Sequence, residues 1–144
     1  MKAWASRLQT IGDVQCFDYD YMSSGKKAPD QHKKLVACHR SQIVQTFLKI
    51  LCSFLKEKIQ SSFPGRRIFL IGKSMGSRIG LHAAIEEGTN SVIDGCICLG
   101  YPLRGINGAV RNEVLLELQH PVLFVSGTRD KLCPLDLLKK VQCM

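Results

Sequence analysis

The sequence contains a stretch with the spacing of a nucleophilic serine, Gly72-Lys73-Ser74-Met75-Gly76. This G-x-S-x-G pattern follows a β-rich run, Arg67–Ile71, and precedes a helical pattern, Met75–Glu87. It therefore predicts that Ser74 stands on a sharp turn between a strand and a helix. In that setting the Met75 backbone N–H points at the oxyanion that develops during acyl transfer, aided by the helix N-terminus. The alternative is a glycine-rich turn that binds a phosphate group or no ligand, with Lys73 as an anion contact.

An aspartate stands where the acidic member of a catalytic triad is expected. Asp130 follows the strand predicted over Pro121–Ser126. Because parallel strands end at the same edge of a sheet, Asp130 would lie on the same side as Ser74. A carboxylate there can orient a histidine and stabilise its imidazolium form. The alternative is an exposed turn aspartate, or a cap for the helix that begins near Pro134.

The sequence offers no histidine at the position expected for the general base. With this order of motifs the triad histidine follows the aspartate, but the fourteen residues after the aspartate contain none. His120 directly precedes the strand predicted over Pro121–Ser126, at the end opposite to Asp130, and His39 lies in the middle of a helix. His82 lies two turns beyond Ser74, and His32 lies in a charged stretch at the start of its helix. Without a positioned base, we expect Ser74 to react as an ordinary alcohol.

The elements that must position these residues alternate between strand and helix. The predicted strands are Val14–Tyr19, Arg67–Ile71, Gly95–Gly100 and Pro121–Ser126. The predicted helices are a short one carrying Trp4, Leu8 and Ile11, a long one capped by Asp30 that ends before Phe63, and those over Met75–Glu87, Arg111–Leu118 and Leu135–Val141. Strands without polar alternation, separated by helices, indicate an α/β fold with a mainly parallel sheet and helices on both faces.

The composition is typical of one globular domain spanning residues 1–144, with 45% hydrophobic and 22% charged residues. No apolar run approaches the ~20 residues that a membrane span needs. The stretch Met1–Leu8 lacks the apolar core of a secretory signal. These features predict a protein without a membrane partner.

Charge and cysteine content narrow the remaining partner classes. The net charge is +8, and one basic cluster contains Lys26, Lys27, Lys33, Lys34 and Arg40. Because no aromatic residues lie among these cations, we expect a solvated face, with an acidic protein partner as the alternative, and nucleic-acid binding is disfavoured. The seven cysteines form no paired C-x-x-C motif. This predicts reduced, buried thiols in a cytosolic or nuclear protein, with no metal site and no cofactor.

Three stretches, in chain order, resemble a known family: Gly72–Arg78, Cys98–Leu103 and Pro121–Gly127. They are similar to the α/β-hydrolase-like family of the KANL and Tex type, which contains a testis-expressed protein and a regulatory subunit of the NSL histone acetyltransferase complex. The stretches Phe17–Tyr19 and Gly25–Pro29 also resemble its plant members. The resemblance implies a dienelactone-hydrolase-like fold, with Ser74 at the nucleophile position and Asp130 at the acid position.

The same resemblance implies a chain truncated at both ends. Family members are expected to carry a strand and oxyanion loop before the first helix, and a further strand and histidine-bearing loop after the last. We therefore expect a partial α/β-hydrolase fold that lacks both segments. The leading expectation is a serine hydrolase for an ester or other acyl substrate, inactive in this form. The alternatives are a non-catalytic interaction protein that retains the fold, and a truncated product without a stable function.

Overall fold

A computed structural model describes residues 2–57, 67–88, 92–105 and 107–142. The chain divides into two compact units, Met1–Pro64 (unit 1) and Gly65–Met144 (unit 2). The single domain expected over residues 1–144 stays a prediction.

Unit 2 contains a three-stranded parallel sheet whose strands are joined by helices. Strand β1 spans Ile68–Lys73, β2 spans Ile93–Leu99 and β3 spans Val122–Val125. The sheet order is β1-β2-β3, and both pairings are parallel. Parallel neighbours require a crossover connection, which is usually a helix. The α/β class and the parallel sheet predicted from the sequence are therefore confirmed.

Helix α4, Met75–Glu87, is the crossover between β1 and β2, and it packs on both strands. Its buried residues are Ser77, Ile79, Gly80, Leu81, Ala83 and Ala84. The helix ends at Gly88, whose φ of 76° is a conformation that glycine adopts without steric cost. Both ends of this helix agree with the sequence prediction.

The second crossover and the C-terminal part of unit 2 contain two shorter helices. Helix α5 spans Glu113–Glu117 and helix α6 spans Leu135–Gln142. Buried Val114 and Leu138 anchor them. Pro134 directly precedes α6, and its carbonyl accepts the Leu138 N–H at 2.9 Å. Because an N–H at the start of a helix has no intrahelical acceptor, the missing N–H of Pro134 costs no helical hydrogen bond.

Unit 1 is helical. Helix α1 spans Lys2–Leu8, α2 spans Asp20–Ser23 and the long α3 spans His32–Glu57. The predicted cap at Asp30 is wrong, because α3 begins two residues later. The Asp30 carboxylate instead pairs with Lys26 at 3.8 Å and Lys34 at 3.3 Å. The predicted end of the long helix near Phe63 lies outside the described residues.

The strand predicted over Val14–Tyr19 is wrong, since this segment forms no strand. Its side chains contact α3 rather than a sheet. The Phe17 ring meets the His39 ring edge-on at 5.0 Å, and the Tyr19 hydroxyl lies 3.2 Å from His39 Nδ1. Aromatic and β-branched residues suit any half-buried extended segment, so the pattern did not distinguish a strand from a segment packed against a helix.

No helix among the described residues is long and apolar enough to cross a membrane.

Candidate active site

Ser74 stands on the turn between β1 and α4 with an unusual backbone conformation. Its φ is 52° and its ψ is −118°, and it is the only non-glycine described residue with a positive φ. Such a conformation costs on the order of 1–3 kcal/mol and tends to occur at functional sites. The turn leaves Ser74 exposed to solvent at the carboxyl end of β1. This is the strand–turn–helix geometry that the G-x-S-x-G pattern predicts.

The two glycines of the pattern differ in what they permit. A β-carbon at Gly72 would overlap the backbone of Gly76 and Ser77, so only glycine allows β1 to pass so close to the first turn of α4. A β-carbon at Gly76 would meet no atom within 4 Å. The close passage of strand and helix therefore requires glycine at position 72 but not at position 76.

Backbone hydrogen bonds align the ends of the three strands side by side. The Ser74 N–H donates to the Leu99 carbonyl at 2.9 Å, and the Gly100 N–H donates to the Val125 carbonyl at 2.8 Å. Each bond extends the sheet ladder by one step beyond the regular strand. The turn that bears Ser74, the turn after β2 and the loop after β3 therefore lie at one edge of the sheet.

Asp130 belongs to the loop after β3, at that same edge. Its Oδ1 accepts the Leu132 N–H at 2.9 Å, and its own N–H donates to the Gly127 carbonyl at 3.0 Å. Its Oδ2 would lie 3.5 Å from a β-carbon built on Gly100. The side chain is half-buried, so one carboxylate oxygen fixes the loop while the other faces the turn after β2.

The site also includes residues that sequence analysis did not select. The Ser77 hydroxyl, which is buried, donates to the Ser74 carbonyl at 2.6 Å and so holds the turn from the helix side. Gly100 has a φ of 62° and lies against Asp130. The glycine after a strand was a visible signal for a turn, whereas nothing in the sequence distinguished Ser77 from an ordinary helical serine.

Tyr101, which follows the Gly100 turn, packs in the core of unit 2. It is fully buried, its hydroxyl donates to the Arg111 carbonyl at 3.3 Å, and its ring meets Phe124 of β3 edge-on. Burial raises the Tyr101 pKa, while the nearby charge of Arg78 acts in the opposite direction. Arg78 is half-buried on α4, so it lies beside this tyrosine rather than projecting freely into solvent.

Three cysteines of unit 2 lie in its core. Cys96, Cys98 and Cys133 are buried. Desolvation raises the pKa of Cys96 to about 11 and that of Cys98 to about 12. Because the thiolate is the reactive form, these thiols are poor nucleophiles. Cys16 is exposed, so the expectation that the cysteines are buried is wrong there.

The histidines of unit 2 lie away from the carboxyl edge. His82 is eight residues into α4 from Ser74, which is roughly 12 Å along the helix axis. His120 precedes β3, at the opposite end of the strand from Asp130. His32 and His39 belong to unit 1. Among the described residues, no group of three His, Cys, Asp or Glu side chains could hold a metal ion.

Comparison with known proteins gives one family. The model of the family described as an alpha/beta hydrolase domain matches residues 1–144. No solved structure matches the chain. The family match extends over both units and includes the turn at Ser74 and the loop at Asp130.

Proposed function

The chain belongs to this alpha/beta hydrolase domain family, and on that premise we propose that it carries a serine-hydrolase site for an ester or other acyl substrate. The observation that carries the proposal is the backbone of Ser74, with its positive φ on an exposed turn between β1 and α4. Strain of this kind persists only where the surrounding structure holds the residue in place, and it is concentrated at functional sites. A serine held in this way presents its hydroxyl above the sheet edge.

In this proposal each residue has a defined role. Ser74 Oγ attacks the carbonyl carbon of the substrate. The Met75 N–H, one of the N-terminal amides of α4 that lack an intrahelical acceptor, donates to the oxyanion. Asp130 is the acid that would orient and stabilise a histidine. The Gly100 turn lies between the nucleophile turn and the acid loop, joined to neighbouring strand ends by backbone hydrogen bonds.

The general base is the part of the site that unit 2 does not supply, because His82 and His120 lie away from this edge. We therefore propose that Ser74 is poorly reactive in this chain on its own. An external base of suitable size would restore reactivity if the rest of the site is built as proposed. Imidazole is that base, since it is the side chain of histidine without its backbone.

The test is covalent labelling of Ser74 by a fluorophosphonate probe, followed by intact mass and peptide mapping. The serine oxygen displaces fluoride at phosphorus, and its proton passes to the base. We expect little labelling in buffer, clear acceleration by imidazole, and no labelling of Ser74→Ala at any imidazole concentration. Ser24→Ala, which removes an exposed serine of unit 1, is the matched control and should label like the unmodified chain.

Two results would overturn the proposal. One is the absence of Ser74 labelling even at high imidazole concentration. The other is equal labelling of Ser24→Ala and Ser74→Ala, which would show that the probe reacts without regard to the turn. Either result would favour the second candidate function.

The second candidate is a non-catalytic interaction protein that retains the hydrolase fold. The position of the unit 2 histidines favours it, because a site without a base is compatible with loss of catalysis. The resemblance to the KANL and Tex group, with its chromatin-complex subunit, supports the same alternative and suggests a cytosolic or nuclear protein. Co-purification with a defined protein partner that survives Ser74→Ala, together with failed labelling, would support this role.

A further inference from the structure

We propose that the carboxyl edge of the unit 2 sheet carries an anion-recognition rim, formed by Lys73, Arg104, Arg129 and Lys131, which selects acyl substrates bearing a carboxylate or phosphate group. The inference rests on the proposed function, because it names the substrate class of the site at Ser74. None of these four residues serves as the nucleophile, the oxyanion donor or the acid in the proposed site. All four are exposed.

The distribution of charge within unit 2 is the first argument. Residues 65–144 contain ten Lys and Arg against seven Asp and Glu. The turns at the carboxyl edge, residues 73–74, 100–105, 107–112 and 126–134, hold five of those ten cations but only one of the seven carboxylates. The remainder of unit 2 is therefore slightly acidic, and the excess positive charge of this unit lies at the carboxyl edge, where Ser74 also lies.

The backbone places these cations near the reacting groups. Lys73 is the last residue of β1 and directly precedes Ser74. Arg129 and Lys131 flank Asp130 in the loop after β3. The backbone hydrogen bonds from Ser74 to Leu99 and from Gly100 to Val125 bring that loop and the nucleophile turn to one edge of the same sheet.

Arg104 joins the rim through a contact between two loops. The backbone N–H of Arg104 donates to the Leu132 carbonyl at 2.8 Å, which places the Arg104 backbone beside Lys131. Arg104 also forms an isolated antiparallel bridge with Val110, so its backbone is fixed from two sides. The rim thus has a supported frame, although its side chains reach into solvent.

The single carboxylate at this edge does not neutralise the rim. Asp130 already accepts the Leu132 N–H through Oδ1, and its Oδ2 faces Gly100. Several like charges at one edge of a sheet produce a positive local potential, which attracts anions and raises their local concentration. An acyl substrate with a carboxylate or phosphate a few bonds from its scissile carbonyl fits a nucleophile that shares its sheet edge with four cations.

The test compares two activated esters of equal chain length, 4-nitrophenyl pentanoate and mono-4-nitrophenyl glutarate, in the presence of imidazole. In each, Ser74 Oγ attacks the carbonyl, 4-nitrophenolate leaves with the bonding electrons, and the serine proton passes to imidazole. The readout is the rate of acyl-Ser74 formation by intact mass, corrected with Ser74→Ala. The second ester differs from the first by a terminal carboxylate.

We expect the anionic ester to acylate Ser74 roughly five- to tenfold faster at low ionic strength, since each exposed cation contributes modestly to attraction. The ratio should fall towards one in the triple variant K73Q/R129Q/K131Q and in high salt. The matched control K139Q/K140Q removes two cations of α6 and should leave the ratio almost unchanged. An unselective unmodified chain, or an equal loss of selectivity in the control, would overturn the rim.

A separate binding measurement distinguishes failure of the rim from failure of the hydrolase site. Glutarate and inorganic phosphate are titrated into the chain, with backbone amide NMR shifts as the readout. Shifts of the Ser74 and Asp130 loops that vanish in K73Q/R129Q/K131Q would support the rim even if Ser74 is never acylated. Acylation without charge preference, together with no anion shifts at these loops, would leave the hydrolase proposal standing and overturn the rim.

Discussion

Gly72 and Ser77 lie in direct backbone contact, with no room for a side chain between the last residues of β1 and the first turn of α4. This contact sets the sharpness of the turn, because the strand must pass under the helix within a few residues. The Ser77 hydroxyl then closes the turn by donating to the Ser74 carbonyl at 2.6 Å. The strained φ of Ser74 follows from this arrangement.

The first prediction concerns the two glycines. Gly72→Ala should lower the free energy of unfolding by about 3 kcal/mol or more, because its β-carbon overlaps backbone that cannot move without displacing α4. Gly76→Ala is the matched control, since its β-carbon meets open space in a helix. It should be neutral or stabilise by up to about 1 kcal/mol. Urea denaturation measures both, and an equal loss in the two variants would contradict the contact.

The second prediction concerns strain at Ser74. Ser74→Gly should be more stable than Ser74→Ala by about 1 kcal/mol, because glycine adopts a positive φ without the steric cost that alanine retains. Both variants lack the hydroxyl, so the comparison isolates the backbone. Thermal and urea unfolding of the pair provide the measurement. Equal stability of the two would show that the turn is not strained.

The turn at Ser74 and the α/β class were predictable because local patterns encode both. A glycine-flanked serine between a β-rich run and a helical pattern can form few other structures, and Met75–Glu87 has clear signals at both ends. The conformation of the segment Val14–Tyr19 was not predictable in the same way. Its aromatic residues contact His39 across about 20 residues of sequence, and a local pattern does not identify the partner surface.

The candidate site was predictable only residue by residue. Ser74, Met75 and Asp130 follow from motif and strand order, whereas their mutual geometry depends on hydrogen bonds between strand ends, such as Gly100 to Val125. The anchoring role of Ser77 depends on a three-dimensional turn. The cations of the rim share one edge of the sheet because three separate turns lie there, which no single stretch of sequence shows.

The third prediction concerns basal activity. Because the histidines of unit 2 lie away from the edge, the purified chain without added base should hydrolyse a p-nitrophenyl ester no faster than Ser74→Ala. It should also label negligibly with a fluorophosphonate probe. Rapid labelling of Ser74 that is abolished by His32→Ala would contradict this, since it would identify a base that the geometry of unit 2 does not supply.

The fourth prediction concerns thiol reactivity. Cys16 is exposed and should react with iodoacetamide in the native protein, whereas Cys96, Cys98 and Cys133 should react only after unfolding. Burial excludes the reagent and raises the pKa of Cys96 and Cys98, so little thiolate forms at neutral pH. Peptide mapping after brief alkylation, with and without urea, measures each site. Native modification of Cys98 at the rate of Cys16 would contradict its placement in the core.

The last prediction concerns the pH dependence of stability through His39. Burial lowers the pKa of His39 to about 4 from its usual 6.5, so the folded protein holds this ring neutral where the unfolded chain would protonate it. Between pH 6.5 and 4 the unfolded state binds more protons, and the free energy of unfolding must fall as pH falls. The loss attributable to His39 across that window is at most about 3 kcal/mol.

Urea denaturation at a series of pH values should show a shallower pH dependence of the free energy of unfolding in His39→Gln than in the unmodified chain. Tyr19→Phe is the control, because it removes the hydroxyl 3.2 Å from Nδ1 but leaves the ring buried, so the dependence should persist. A His39→Gln variant with an unchanged pH profile would show that this histidine is not buried in its neutral form.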